Sequence, residues 1–515
     1  MRAGPVSSVP RLFPFVLCYH APEFAQPVPR TVSGGFFAMS TSPYFWAVAV
    51  YLLLLAAIAI YRSRAVKSGT DFVLAGRGLT APVLVGTMLA SWIGAGTLIA
   101  GAEYARQYGF AAIWQPAGAW LGIAVVAMLA PRVRRLEQFT LPDILELRYN
   151  KWAKLLGTIT IIIAFTAIVA YQIRGMGVVL NLVAGMDQDT ARLVVTVFII
   201  GFTAVAGLMS IAHMDVVNGT VILLGVIIGV PVLYYAGTSH DAFTAPISSQ
   251  LSWTGGLGWG ETFAYFFSTC FLLLGDPQIY GKLFSAKDQH EARKAVWGWI
   301  VCTIIVEVLV VWLAVEAGLL DYSKFNAPPI PADHPEFTIL HAARYAFPLA
   351  MGMMFLVVAT AIIVSTATSY LLLPATNFTK NVVQRFFKPE MTEKQVLLSA
   401  RLFTVVFGLV AYLLIAQFQS VLEMSRYAYT VYGAGITPAV LAAFLWRRVT
   451  TAGGIASIVL GTGVTVGWEM ATQAGGPPLG IPTFYPAIAA SVGALVLVSL
   501  MTPAEPESKW GKFFD

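Results

Sequence analysis

The chain has 515 residues, of which 57% are hydrophobic and 11% charged, with a mean hydropathy of +0.74 and a formal net charge of +6. A soluble chain carries about 25% charged residues, so nearly all of this one belongs in or beside a bilayer, and no charged stretch is long enough for a soluble domain. Its basic residues sit in short loops between apolar runs and form no basic face, which excludes nucleic acid as a partner, and Cys18, Cys270 and Cys302 show no paired spacing.

The first 38 residues hold six prolines, Pro5, Pro10, Pro14, Pro22, Pro27 and Pro29, and no apolar core of signal-peptide length. Met39 opens a sequence that runs straight into the first span. The natural start is therefore expected at Met39, or the extension (residues 1–43) is disordered. Length and hydropathy predict about 13 transmembrane helices, at 44–61, 81–104, 112–130, 154–173, 191–211, 216–236, 261–281, 295–319, 346–373, 400–416, 427–446, 452–470 and 483–501. Loops after the odd-numbered spans carry the cations: Arg62, Arg64, Lys67 and Arg77; Arg132, Arg134, Arg135, Arg148, Lys151 and Lys154; Lys282, Lys287, Arg293 and Lys294; Lys380, Arg385, Lys388, Lys394 and Arg401; Arg447 and Arg448. Even-numbered spans are followed by few. This alternation predicts an N-terminus outside, a cytoplasmic C-terminus and an odd number of spans.

Two spans carry interruptions. The second contains Gly94-Ala95-Gly96 and the seventh contains Gly275-Asp276-Pro277. Glycine leaves backbone carbonyls open to other partners, and in hydrocarbon these must be satisfied by neighbouring helices, water or a ligand. Close packing through small residues also explains a lone Gly-x-Gly. The two breaks lie five spans apart, however, so their helices run in opposite senses. Interrupted helices at matching places of two inverted five-helix units mark a transporter substrate site. The expected organisation is an all-α membrane protein with a five-plus-five inverted repeat and a discontinuous first helix in each repeat. A peripheral span and loop occupy 44–80, a transporter core 81–446 (repeats 81–236 and 261–446), and two peripheral spans with a short tail 447–515.

Several segments resemble the sodium:solute symporter family. Phe72-Val73-Leu74-Ala75-Gly76-Arg77-Gly78-Leu79 is similar to its F-x-L-A-G-R/K-x-L approach to the first core helix, and residues 89–101 to that helix itself. Thr140-Leu141-Pro142-Asp143-Ile144-Leu145-Glu146-Leu147-Arg148-Tyr149 is similar to its T-x-P-E/D-x-L-x-x-R-Y/F loop. Gly275-Asp276-Pro277-Gln278-Ile279-Tyr280 resembles the interrupted seventh span, where the family usually has Gln-Arg in place of Gly281-Lys282. Val364-Ser365-Thr366-Ala367-Thr368-Ser369 resembles the span that carries sodium-binding hydroxyls. The resemblance covers roughly residues 44–450. It implies a LeuT-type inverted-repeat fold, alternating access and coupling of solute uptake to sodium.

Sodium is a hard cation that takes oxygen ligands. The resemblance implies carbonyls from Ser91, Gly94 and Ile362 and hydroxyls from Ser365 and Thr366. Ser365 and Thr366 could instead bond their own i−4 carbonyls, as is common in membrane helices. Trp92, Thr97, Gln115, Asp276, Gln278 and Tyr280 are the candidate solute residues beside the breaks. Trp92 could hold an ammonium group by cation–π contact, or simply pack. Choline-transporting members of the family carry a similar Ala-x-Trp-x-Gly-x-Gly, followed by a Trp-x-Gln-x-Pro-x-Gly, here Trp114, Gln115, Pro116 and Gly118. Asp276, a carboxylate at membrane depth, could bind an amine, take part in coupling or pair with Lys282. Glu307 falls near the middle of span 8, Arg174 closes span 4, and Glu423 and Arg426 form a candidate helix pair. Proline-transporting members carry aromatic residues on the seventh span before its break. Here residues 270–274 hold only Phe271 among leucines, which argues against proline as the solute.

A sodium-coupled symporter importing a small organic solute, an amine, quaternary ammonium or amino acid, is the first expectation. Its partners are the solute, sodium and the lipid bilayer of a plasma membrane, the bacterial inner membrane, with no cofactor beyond the coupling ion. The alternatives are a proton-coupled transporter of the same fold and a transporter-like membrane sensor. No catalytic residues are assigned, because the chain has no H-E-x-x-H cluster, nucleophile elbow or Walker motif, and its six histidines are scattered.

Overall fold

A computed structural model of the chain describes residues 42–63, 79–136, 140–246 and 248–514. The proline-rich extension, the motif's residues 72–78 and the loop cations Arg64, Lys67 and Arg77 lie outside the described residues. Apart from two isolated bridges, Leu79 with Ala286 and Phe243 with Leu320, the regular structure described is helical.

In chain order the main helices are α1 Pro43–Ser63, α2 Ala81–Trp92, α3 Gly101–Tyr108, α4 Trp114–Arg135, α5 Leu141–Arg148, α6 Lys151–Ala184 and α7 Gln188–Ser239. They continue as α8 Trp259–Gly275, α9 Pro277–Ser285, α10 Gln289–Gly318, α11 Thr338–Tyr345, α12 Leu349–Asn377 and α13 Glu393–Leu414. The last are α14 Val421–Gly435, α15 Thr437–Leu445, α16 Thr451–Gly475, α17 Phe484–Met501 and α18 Glu507–Phe514.

Among the described residues ten helices are long and apolar enough to cross a membrane. The other three expected spans are the first, α1, and the two interrupted ones, which break into pieces too short to cross alone. Two expected spans follow within α7 as Gln188–Val205 and Asn218–Ser239.

Local chemistry sets the helix ends. Asn150 begins α6 by accepting the Trp152 and Ala153 amides, and Gly185, at φ 63°, ends it. α6 therefore runs well past the expected end of span 4, so Arg174 is buried within the helix instead of closing it. The Thr140–Tyr149 motif folds as α5, opened by a capping box between Thr140 and Asp143. Its acids take Lys154, with Nζ 2.7 Å from both Asp143 and Glu146, while Arg385 lies 2.6 Å from Glu146. Arg148 Nη2 donates to the Val449 carbonyl at 2.9 Å, and the Tyr149 hydroxyl to the Ala439 carbonyl at 2.7 Å. The motif thus ties α5 to α6, to the π-helix Phe378–Phe387 that continues α12, and to α15, at the face rich in cations.

The packed centre consists of α2, α6, α8, α12 and α14, whose facing residues are almost all buried. Large apolar side chains that remain exposed, such as Leu53, Met128, Val197, Leu402 and Leu413, suit contact with lipid tails.

Candidate functional site

The second span breaks at one residue. α2 ends at Trp92, and Ile93 adopts an extended conformation (φ −73°, ψ 116°) before the chain resumes as a π-helix, Gly96–Ala100, and α3. The seventh span breaks in the same way at Asp276 (φ −63°, ψ 115°), between α8 and α9. A single extended residue inside a helix exposes carbonyls on one side of the break and amides on the other. Most of these groups have identifiable partners. At the first break, the Ala95 amide donates to Gln172 Oε1 at 2.8 Å, and Thr97 and Leu98 donate to the Gly94 carbonyl at 3.1 and 3.0 Å. At the second, Asp276 Oδ1 accepts the Gln278 amide at 2.8 Å, and its carbonyl accepts Ile279 and Tyr280. Tyr432 donates its hydroxyl to the Gly275 carbonyl, and Tyr280 to the Leu274 carbonyl at 2.8 Å.

Thr366 on α12 faces the first break. Its Oγ1 lies 2.9 Å from the Ile93 carbonyl and 3.4 Å from that of Ala90. Thr360 and Thr368, on the same helix, bond their own i−4 carbonyls, at Leu356 and Val364. Thr366 therefore departs from the local habit and reaches across to the broken helix. The carbonyls it meets differ from the pair expected. Gly94 O takes the Thr97 and Leu98 amides, and the Ser91 side chain accepts from Lys282 Nζ at 2.5 Å, which also donates to the Thr87 carbonyl at 2.5 Å. Ser365 and Ile362 are buried on α12 near Thr366. Glycine at 94 is required by the close approach: a Cβ there would stand 2.5 Å from Gln172 Nε2 and 2.9 Å from Thr366 Cγ2.

Two narrow cavities flank Trp92. Trp92, Thr97, Gln115, Thr269, Glu307 and Tyr429 contribute the polar and aromatic lining of one. Ser91, Trp92, Asp276, Gln278, Lys282 and Tyr370 contribute to the other. Of the six candidate solute residues, Trp92, Thr97 and Gln115 share the first and Trp92, Asp276 and Gln278 the second. Tyr280 lines neither, being fully buried as a strut across the second break. Asp276 caps α9 and accepts the Tyr370 hydroxyl at 3.1 Å.

Glu307, noted in the sequence as a charge near the middle of span 8, lies on the first cavity. Its Oε1 accepts the Trp92 indole N–H at 2.8 Å and its Oε2 that of Trp120 at 2.7 Å. Nothing in the spacing of the sequence brings Trp92, Trp120 and Glu307 together, because they sit on α2, α4 and α10. Gln172 and Tyr429 were missed for the same reason.

Beyond this cavity, toward the face opposite the cations, Tyr104 stacks on Tyr265 with ring centres 4.2 Å apart. Arg426 lies 4.9 Å from the Tyr265 ring centre and 3.7 Å from Glu261, while the Glu423 carboxylate accepts the Gln419 amide, so Glu423 and Arg426 do not form the expected helix pair. Arg174 reaches the Phe418 and Gln419 carbonyls and lies 4.0 Å from Glu336.

The sodium:solute symporter family model matches residues 72–461. The chain belongs to the sodium:solute symporter family. It is 26% identical over 474 residues to the high-affinity proline transporter PutP of Bacillus subtilis, covering 87% of this chain and 95% of the relative. To the osmoregulated proline transporter OpuE of the same organism it is 23% identical over 505 residues, covering 91% and 96%. The fold is similar to that of a sodium-coupled sialic acid symporter solved in a substrate-bound outward-open state, with a TM-score of 0.71 at 14% identity over 90% of this chain and 98% of that one. It is also similar to Mhp1, a nucleobase-cation-symport-1 family transporter, with a TM-score of 0.54 at 12% identity over 86% and 97%. The symporter is thus a multi-pass membrane protein that couples sodium to a small solute, and it is not an enzyme.

Proposed function

We propose that this symporter imports a small organic solute bearing an amino or ammonium group, with sodium bound between α2 and α12. The observation that carries the ion site is Thr366 Oγ1, turned from its own helix onto the Ile93 and Ala90 carbonyls. Three oxygens of this kind suit a hard cation, and Ser365 Oγ and the Ile362 carbonyl are the further candidates on the same face of α12. Ser91 and Gly94, whose carbonyls the family resemblance implies as ligands, lie beside this set, on either side of Ile93. An ion there favours the state in which α2 and α12 are close, which biases alternating access, and its coupling to solute affinity is reciprocal.

The solute lies beside the breaks, against Trp92, Thr97 and Gln115, with the groups around Asp276 and Gln278 on the side toward the cation-rich face. An amino or ammonium group is common to the proline of the named relatives and to the quaternary ammonium solutes suggested by the Trp92 motif. The repeats span 81–236 and 261–446, supported by the matching extended residues Ile93 and Asp276. The cation-rich face, with Arg134, Lys151, Lys287 and Arg385, is cytoplasmic, which puts the N-terminus outside and the C-terminus inside a bacterial-type inner membrane.

The test is uptake into proteoliposomes from a panel of amino acids, amines and quaternary ammonium compounds, with sodium, potassium or proton gradients imposed separately. Uptake of one class driven by the sodium gradient alone is expected. Uptake driven only by the proton gradient would replace the ion site with protonation of a buried carboxylate.

A further inference from the structure

We propose that Glu307 is a positioning residue for the solute: its carboxyl group holds the Trp92 indole as the shared wall of the two cavities, and Trp120, which lines neither cavity, fixes that carboxyl group in turn. This rests on the reading of the chain as a symporter with its solute beside the breaks, and it assigns roles within that site whatever the charge of the solute.

Trp92 ends α2, and Ile93 leaves the helix, so the hydrogen-bond ladder stops at the residue whose ring must be placed. The indole carries one donor, and in apolar surroundings that donor needs an acceptor. α10 supplies two constraints. Glu307 Oε1, in the lining of the first cavity, accepts the Trp92 N–H at 2.8 Å. Trp299, about two turns earlier on α10 and in the lining of the second cavity, meets the Trp92 ring nearly at right angles with centres 6.5 Å apart. A carboxyl group held by one bond still turns about its last torsion, whose wells are broad. The second oxygen removes that freedom: Oε2 accepts the Trp120 N–H, from α4, at 2.7 Å. Glu307 is buried, so bulk water does not replace a lost partner. Trp92, Trp120 and Glu307 thus form a clamp across α2, α4 and α10, and what the clamp requires is two acceptor atoms on one flat group. Charge is not part of the requirement, because a protonated carboxyl keeps acceptor capacity on both oxygens. Glutamine meets half of it. Its amide oxygen accepts one indole, while its NH2, which only donates, faces the other. Trp92 then competes with Trp120 for a single acceptor.

That competition gives the test. Sodium-driven uptake of proline and of choline into proteoliposomes is measured for Glu307→Gln, Trp120→Phe and Trp92→Phe, and for Glu307→Gln combined with each of the other two. Glu307→Gln should raise the half-saturating solute concentration about fivefold, the worth of one hydrogen bond, with the maximal rate kept. Trp120→Phe alone should change it by less than about twofold, because Trp92 keeps its acceptor. Added to Glu307→Gln, Trp120→Phe should restore it to within about twofold of the wild type, since the amide oxygen then serves Trp92 alone. In a Trp92→Phe background, Glu307→Gln should cost nothing further. A residue needed for its charge, for contact with the solute or for stability alone is not rescued by removing an N–H outside both cavities. The same variants are read without solute, in sodium-containing detergent, by nitrogen-15 resonance of protein labelled at tryptophan. The Nε1–H signals of Trp92 and Trp120, assigned from the phenylalanine variants, should both shift in Glu307→Gln, and the Trp92 signal should return when Trp120→Phe is added. Wild-type half-saturation in Glu307→Gln, no rescue by Trp120→Phe, or indole signals indifferent to Glu307→Gln would each overturn the inference. Failure of the underlying reading looks different: uptake of neither compound by the wild type, with the Trp92 signal shifting and returning as described, would defeat the proposed solute class and leave the clamp standing.

Discussion

At the scale of single residues, Trp92 joins the two breaks by lining both cavities and donating to Glu307. Replacing it by leucine keeps much of the bulk and removes both the ring face and the N–H. Solute affinity should fall by an amount like that of a desolvated cation–π pair, about 2 kcal/mol, read as a rise in the solute concentration for half-maximal uptake. Unchanged affinity would assign Trp92 to packing. Gly94→Ala places a methyl group against Gln172 and Thr366, and overpacking of this kind costs about 1–3 kcal/mol. A lower melting temperature and weakened sodium dependence are expected together, since the methyl group meets the residue assigned to the ion. A melting temperature equal to the wild type's would show that the neighbours yield without strain. The sequence made Gly94, Thr366 and Trp92 legible because glycine in a bilayer, a hydroxyl among apolar residues and an indole beside a break are local signals. It did not make Ala90 and Ile93 legible as carbonyl donors. Which carbonyl is free depends on the residue where the helix ladder stops, and that residue, Ile93, has no composition to mark it. Glu307 was visible as a charge but not as a cavity wall, because its indole partners come from two other helices.

At the scale of helices, Asp276 acts as the cap that restarts a membrane helix. Asparagine can also cap, and its amide can still pair with the Tyr370 hydroxyl, so Asp276→Asn should melt close to the wild type and keep its sodium dependence. Asp276→Ala should lose about 1 kcal/mol, the usual cost of a missing cap, seen as a lower melting temperature in detergent. If the asparagine variant melted normally yet lost its sodium dependence, the charge at 276 would belong to coupling and not to the fold. The two breaks and the order of spans could be read from glycines, prolines and charge alternation, and the loop motif now seen as α5 from its resemblance to the family. A third interruption carries the same signal, Gly433 and Gly435 with Pro438 just beyond, where α14 gives way to α15 at Ile436, φ −118°, and a count of spans by hydropathy alone passes over it. The length of α6 was likewise underestimated, since Arg174 looked like a terminus but is carried inside by the Phe418 carbonyl and Glu336.

At the scale of the whole molecule, two helices broken at one extended residue each, five spans apart, face a shared centre that holds the candidate ion and solute sites. The proposed topology is checked by cysteine labelling. A cysteine placed at Arg134, on the cation-rich face, should resist an impermeant thiol reagent in intact cells and react once the membrane is opened. Reaction in intact cells would invert the assignment. The central claim, that sodium binds between α2 and α12 and drives the cycle from there, is met most directly by binding of radioactive sodium to the purified protein and to its Thr366→Ala variant, with correct folding established by gel filtration. Removing one of a few oxygen ligands should weaken sodium binding by roughly tenfold or more, equivalent to about 1.4 kcal/mol, while leaving binding saturable in the wild type. Equal sodium affinity in the two proteins would contradict the assignment and move the ion away from Thr366.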